Sequence, residues 1–156
     1  MTHLAQFIVL VFTLVVSLQV VIAQTLHQIQ NIRAGSDPIG VDPLKILSLP
    51  VREGAQLNKW TIEKTEGSNR YFLHIQNAPP NVGVAGNGVV TASLDDKRVW
   101  EIVRDGQKNA FTIQLATGLW PGQYWTAGNG PTDTVTLRVS DFPTEDQLWM
   151  ITPVVN

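Results

Sequence analysis

The sequence repeats one short pattern three times: Trp-x-Ile occurs in "KWTIEK" at Lys59–Lys64, in "RVWEIV" at Arg98–Val103 and in "QLWMIT" at Gln147–Thr152. Residues two apart share one face of a strand, so Trp60/Ile62, Trp100/Ile102 and Trp149/Ile151 each aim a Trp and an Ile at the same side. The Trp positions are 40 and then 49 residues apart, the mark of an internal repeat. Three other strand-like pieces precede each Trp-x-Ile in the same order. The first are "HQIQNI" from His27, "YFLHIQ" from Tyr71 and "FTIQLA" from Phe111, which alternate apolar and polar residues. The second are "IGV" from Ile39, "VGV" from Val82 and "YWT" from Tyr124. The third are "KILSL" from Lys45, "VVTASL" from Val89 and "TVTLRV" from Thr134. "AGNG" follows the second piece at Ala85–Gly88 and again at Ala127–Gly130, and Asn-Gly favours the left-handed angles of a tight hairpin turn.

Gly and Pro punctuate the chain too often for long helices. The pattern predicts an all-β domain: a β-trefoil of twelve strands in three four-strand repeats, about 27–64, 71–104 and 111–153. Six strands close a barrel and three hairpins cap it, with the Trp-x-Ile strands in the barrel wall and their Trp residues in the core. A twelve-strand sandwich is the other all-β arrangement, but it does not require threefold repetition.

Residues 1–23 read as a secretory signal peptide and 24–156 as the domain. Phe7–Ala23 is apolar except for Thr13, Ser17 and Gln19, and it ends in Val21-Ile22-Ala23, with small residues placed for cleavage before Gln24. The segment lacks Lys and Arg and is near the length of a membrane span, so a retained anchor is the alternative reading. No basic stop-transfer flank follows, which favours cleavage and a secreted, extracellular protein. The chain has no cysteine, so the domain rests on its apolar core without disulfides. A formal net charge of −2 gives no bias towards nucleic acid or anionic lipid. Once the signal is removed, a monomer with no membrane contact is expected.

Enzyme signatures are scarce. After the leader only His27 and His74 remain, and neither has a second His or Cys at metal-ligand spacing. "GVAGNG" from Gly83 contains a Gly-x-x-Gly-x-Gly run, but no helix follows, so it reads as hairpin chemistry and not nucleotide binding. The sequence therefore predicts no catalytic residues, no metal and no cofactor, and function is expected in loops carried by a rigid barrel. Two loops stand out. Repeat one has "DPLK", Asp42-Pro43-Leu44-Lys45, where the others have "AGNG". Pro43 fixes its own φ and biases Asp42 to extended angles, which suits either a plain turn or a stiff segment that enters a protease cleft with little entropy left to lose. The second loop, "GLWPGQYW" at Gly118–Trp125, offers Trp120 and Tyr124 as a second protein contact or as rings that stack on a sugar.

The quoted residues resemble a known family. "PIGVDP" from Pro38, "LPVREGAQLNKWTIEK" from Leu49 and the closing "QLWMITPV" from Gln147 are similar to the fungal β-trefoil serine protease inhibitors of the mycospin, or cospin-like, group. The similarity runs from Gln28 to Val155. It implies a disulfide-free trefoil that blocks a serine endopeptidase with one exposed loop, often the one after the second strand. Carried onto this chain, that loop is Asp42, Pro43, Leu44 and Lys45. The Asp42–Pro43 bond is a poor scissile bond because a proline follows it. Leu44 suits a chymotrypsin- or subtilisin-like pocket, and Lys45 before Ile46 suits a trypsin-like pocket that carries a carboxylate. The loop "SDFPTED" from Ser140 is short for the family and holds no Lys or Arg. Arg52, Arg70, Lys97 and Arg98 are basic residues on other predicted loops.

Two alternatives stay open from sequence. One is a cysteine protease inhibitor of the mycocypin type. The other is a carbohydrate-binding, lectin-like trefoil: Gln147-Leu148-Trp149 matches the Gln-x-Trp of ricin-type lectins, although Asn58-Lys59-Trp60 and Arg98-Val99-Trp100 break its repetition.

Overall fold

The computed structural model describes residues 24–43, 48–130 and 133–155. The proposed signal segment and residues Leu44–Leu47 lie outside this set. Among the described residues every extended element is a strand, and the one helical turn is a 3-10 turn at Glu145–Gln147.

Six strands form the wall of a barrel. They are β1 (His27–Asn31), β5 (Trp60–Lys64), β6 (Arg70–Ile75), β9 (Trp100–Arg104), β10 (Phe111–Leu115) and β13 (Trp149–Pro153). They are the first and fourth pieces of each sequence repeat. Antiparallel pairing runs β10-β13-β1-β5-β6-β9 and returns from β9 to β10, so the ring closes and leaves no wall strand unpaired. The register repeats as well. Each Trp stands opposite the first residue of its own repeat: Trp60 faces His27, Trp100 faces Tyr71 and Trp149 faces Phe111.

The remaining strands cap one end. β2 (Ile39–Gly40) pairs with β4 (Arg52–Glu53), β11 (Gly122–Thr126) with β12 (Thr136–Ser140), and β8 (Val90–Ser93) with both β7 (Asn81–Val84) and β3 (Ser48–Pro50). Three valines tie these pieces into a cycle: Val51 N–H donates to Val90 O (2.8 Å), Val90 N–H to Val135 O (2.9 Å) and Val135 N–H to Val51 O (2.8 Å). All three side chains are buried. The strand count departs from the expected twelve. A thirteenth strand among the described residues, β4, follows the third piece of repeat one: β3 ends at Pro50, β4 begins at Arg52, and Val51 between them gives its amide to the cycle.

Trp60, Trp100 and Trp149 are fully buried, as the spacing predicts, and Ile102 joins them, while Ile62 and Ile151 pack from a half-buried position. Each of the three indoles donates its Nε1–H to a carbonyl of a second strand: Trp60 to Ile39 (2.8 Å), Trp100 to Val82 (3.2 Å) and Trp149 to Trp125 (3.1 Å). These bonds correct the sequence register by one residue. Trp125, not Tyr124, is the counterpart of Ile39 and Val82. Its larger ring meets all three others, with centroids at 5.8, 5.1 and 6.3 Å in tilted or edge-to-face contacts. Burying one such ring removes roughly 150–250 Å2 from water, worth up to about 4–6 kcal/mol. A chain without cysteine thus concentrates its core around one cluster.

Trp125 differs from the other three in one respect: its own Nε1–H is buried and meets no acceptor among the described residues. Trp149→Phe leaves the Trp125 carbonyl without its indole donor, whereas Trp125→Phe removes a donor that has no partner. We therefore expect Trp149→Phe to cost about 1–3 kcal/mol more than Trp125→Phe, read as the difference in urea midpoints at equal slope. Equal or reversed losses would contradict this reading of the core.

Candidate functional site

The loop that follows β2 is fixed at both ends. At its start, Val41 and Leu57 exchange backbone hydrogen bonds at 3.0 Å each. Gly40 makes this approach possible, because a Cβ there would stand 1.9 Å from the Leu57 carbonyl oxygen. Asp42 then meets a two-pronged clamp. Arg52 donates from Nε at 2.7 Å and from Nη2 at 2.6 Å to the same carboxylate oxygen, Oδ2. The third nitrogen of the guanidinium, Nη1, donates to the Glu53 carbonyl at 2.9 Å, which aims the group from behind. Pro43 follows, exposed. The far end of the loop is held by β3, whose Ser48, Leu49 and Pro50 pair with Ser93, Ala92 and Thr91.

Of the predicted site residues, Asp42 and Pro43 therefore sit at the start of an anchored segment, and Leu44 and Lys45 lie outside the described residues. The clamp corrects one expectation: Arg52 belongs to strand β4 and is committed to Asp42. Arg70 likewise opens strand β6 and is not in a loop. Lys97 lies over the Phe72 ring at 3.6 Å, and Arg98 Nε pairs with Asp96 at 2.6 Å, so both loop cations are engaged.

The second predicted loop splits in two. Trp120 is 71% exposed and Leu119 beside it 74%. Tyr124 is only 7% exposed, so its ring face is not offered to a sugar or a partner. Gly122 leaves room for that ring: a Cβ there would come within 2.9 Å of its Cε2 and Cζ. Burial raises the Tyr124 pKa above its ordinary 10.0, and the nearby Glu101 charge adds to the rise. Phe142, 79% exposed, went unnoticed in the sequence reading. Its signal was an aromatic residue between Asp141 and Pro143, in a stretch with no strand alternation to bury it. Gln147 of the Gln-x-Trp is buried and spent inside the protein. Its side chain donates to Thr126 Oγ1 at 3.0 Å and accepts from Thr144 N–H at 3.2 Å, so it is no sugar ligand. Among the described residues no group of His, Cys, Asp and Glu is placed to hold a metal.

These features (a closed barrel, a cap and one loop clamped at both ends) meet a family model. The model of peptidase inhibitor I66 matches residues 20–153. The chain belongs to the peptidase inhibitor I66 family. This I66 member is matched by no curated protein at the level of sequence. Solved structures share its fold. Cry35Ab1 superposes with a TM-score of 0.66 at 18% identity over 85% of this chain and 36% of its own. A Culex quinquefasciatus salivary protein of the cysteine- and tryptophan-rich family gives 0.64 at 17% identity, over 85% and 95%. A Polyporus squamosus lectin, bound to a sialylated epitope, gives 0.60 at 19% identity, over 82% and 48%. The chain thus spans about a third of Cry35Ab1 and about half of the lectin. At these identities the likeness is one of fold.

The raised Tyr124 pKa has a consequence for stability. The fold favours the neutral phenol, so this contribution is intact below the unfolded-state pKa and is lost as pH rises through the higher folded value. Stability should fall above about pH 10, and Tyr124→Phe should flatten that fall, as followed by urea midpoints across about pH 8–11.

Proposed function

We propose that this I66 member is a secreted β-trefoil inhibitor that blocks a serine endopeptidase with the segment Asp42-Pro43-Leu44-Lys45. Family membership makes peptidase inhibition the role. Support for this loop as the site comes from one observation above the others, the bidentate Arg52–Asp42 clamp at its start. A tight inhibitor must present its loop already ordered, since ordering on binding subtracts from affinity. Pro43 and the Val41–Leu57 pair hold the start of the segment, and β3 holds the chain beyond it, without a disulfide.

Threefold closure of the barrel and the cap cycle support the trefoil reading. The leader then directs the chain out of the cell and is removed before Gln24, which leaves a monomer with no cofactor and no catalytic group of its own. In the complex, Lys45 enters a pocket with a carboxylate floor if the target is trypsin-like. Leu44 fills an apolar pocket if the target is chymotrypsin- or subtilisin-like.

The test is to titrate the mature protein, residues 24–156, against trypsin, chymotrypsin, subtilisin and papain. We expect saturable inhibition of at least one serine enzyme and slow nicking within residues 42–46, mapped by mass. Lys45→Ala should abolish inhibition of a trypsin-like target, and Leu44→Ala that of a chymotrypsin-like one. Inhibition of papain alone would instead make the chain a cysteine protease inhibitor. Arg52→Ala removes a charge-assisted clamp worth about 1.5–3 kcal/mol, so it should raise the inhibition constant roughly tenfold or more and speed nicking. A full-strength Arg52→Ala inhibitor would detach the clamp from function.

A further inference from the structure

Glu53 breaks the threefold pattern of the cap. The carbonyls that take the three wall indoles belong to Ile39, Val82 and Trp125, and the residues paired with these across their hairpins are Glu53, Ala92 and Leu137. Each of the three stands two residues beyond a valine of the cap cycle. Two repeats fill this position with an apolar side chain, and repeat one fills it with a carboxylate on a residue only 6% exposed. Packing alone does not call for an acid there. Taking a carboxylate out of water is costly unless a charge or several donors meet it. Here Oε1 accepts the Asp37 amide at 2.6 Å, which fixes the side chain. Among the described residues, however, no Lys, Arg or His nitrogen lies within 4.0 Å of the Glu53 carboxylate.

Glu53 lines a cleft of about 310 Å3, with Arg33, Gly35, Ser36, Asn129 and Gly130 among the other walls. Arg33 supplies the opposite charge. Its Nε donates to Asn31 Oδ1 at 2.9 Å and its Nη2 to the Gly128 carbonyl at 2.5 Å. Both acceptors are neutral, so the guanidinium is aimed without being neutralised, and Nη1 meets no acceptor among the described residues. The cleft therefore holds a fixed cation and a fixed anion that do not pair with each other. A sphere of this volume is roughly 8 Å across, which leaves room for a ligand whose own charges are ~3 Å apart, with a charge-assisted bond of ~2.8 Å at each end.

We propose that this cleft binds a free α-amino acid, its ammonium on Glu53 and its carboxylate on Arg33. Two opposite charges in one cleft select a zwitterion over an ion of one sign. A simple cation that reaches Glu53 meets Arg33 as a like charge, and a simple anion that reaches Arg33 meets Glu53 in the same way. The carboxylate at a position that is apolar in the other two repeats is then explained by a ligand and not by packing. This site does not rest on the inhibitory reading of residues 42–45.

The test uses the 15N-labelled mature chain, residues 24–156, titrated with glycine, alanine, serine and leucine. At least one of these should give saturable shifts at the Gly35, Ser36 and Gly130 amides. For that amino acid, blocking either charge, as the N-acetyl derivative or as the carboxamide, should weaken binding about tenfold or more. Glu53→Gln keeps an acceptor for the Asp37 amide and removes the charge, so it should weaken binding by a similar factor while thermal unfolding stays cooperative. The blocked ligands need no variant and decide the outcome if Glu53→Gln does not fold. No saturable shift with any of the four amino acids, or shifts confined to other parts of the chain, would overturn the proposal. So would a folded Glu53→Gln variant that binds as tightly, or a blocked derivative that binds as tightly as its parent, which would reduce the cleft to a site for a single charge.

Discussion

Three amides hold the cap together. Val51, Val90 and Val135 come from residues far apart in the chain, and each donates to the next in a closed cycle of 2.8–2.9 Å bonds. No member can shift without breaking two bonds inside a buried cluster, where unpaired peptide groups are expensive. The cycle fixes the three capping hairpins relative to one another. The indoles then fix the cap to the barrel, since each wall Trp donates to a carbonyl of a capping strand. Trp125 fills the centre of that arrangement and touches the other three rings. Wall, cap and core are thus joined by one connected set of contacts, and no disulfide is needed.

Such a frame leaves the loops free to differ. Two of the three repeats keep "AGNG" after the second strand, and the third carries a proline and an acid that reaches back to Arg52. The frame supplies both anchors of that segment, through Leu57 on one side and Ser93 on the other. Repeat three differs elsewhere. Its loops before β11 and after β12 carry Trp120 and Phe142 outward. Asymmetry between repeats is where function is expected on a symmetric scaffold, because residues shared by all three repeats are already committed to packing.

Much of this was legible beforehand. The alternation in "HQIQNI", "YFLHIQ" and "FTIQLA" gives three wall strands at their observed starts or within one residue of them. Trp-x-Ile gives the other three, because a large apolar residue at period two must face a core. Two readings failed for identifiable reasons. "YWT" offered two adjacent aromatics, and only the indole bond from Trp149 shows which one is the counterpart of Ile39 and Val82. Arg52 looked like a free loop cation for the same reason: its acceptor, Asp42, lies across a hairpin and not beside it in sequence.

The sequence by itself determined the strand content, the threefold period, the tryptophan core and the place where repeat one departs from the others. These follow from local alternation and from the spacing of large apolar groups, which any strand must respect. Tertiary structure alone decided that Asp42 is clamped, that Tyr124 is buried while Trp120 and Phe142 are exposed, and that Gln147 is spent inside the protein. Those outcomes depend on which distant backbone approaches each side chain, and on whether a neighbour such as Gly40 or Gly122 leaves room for it. Neither is written in the local pattern.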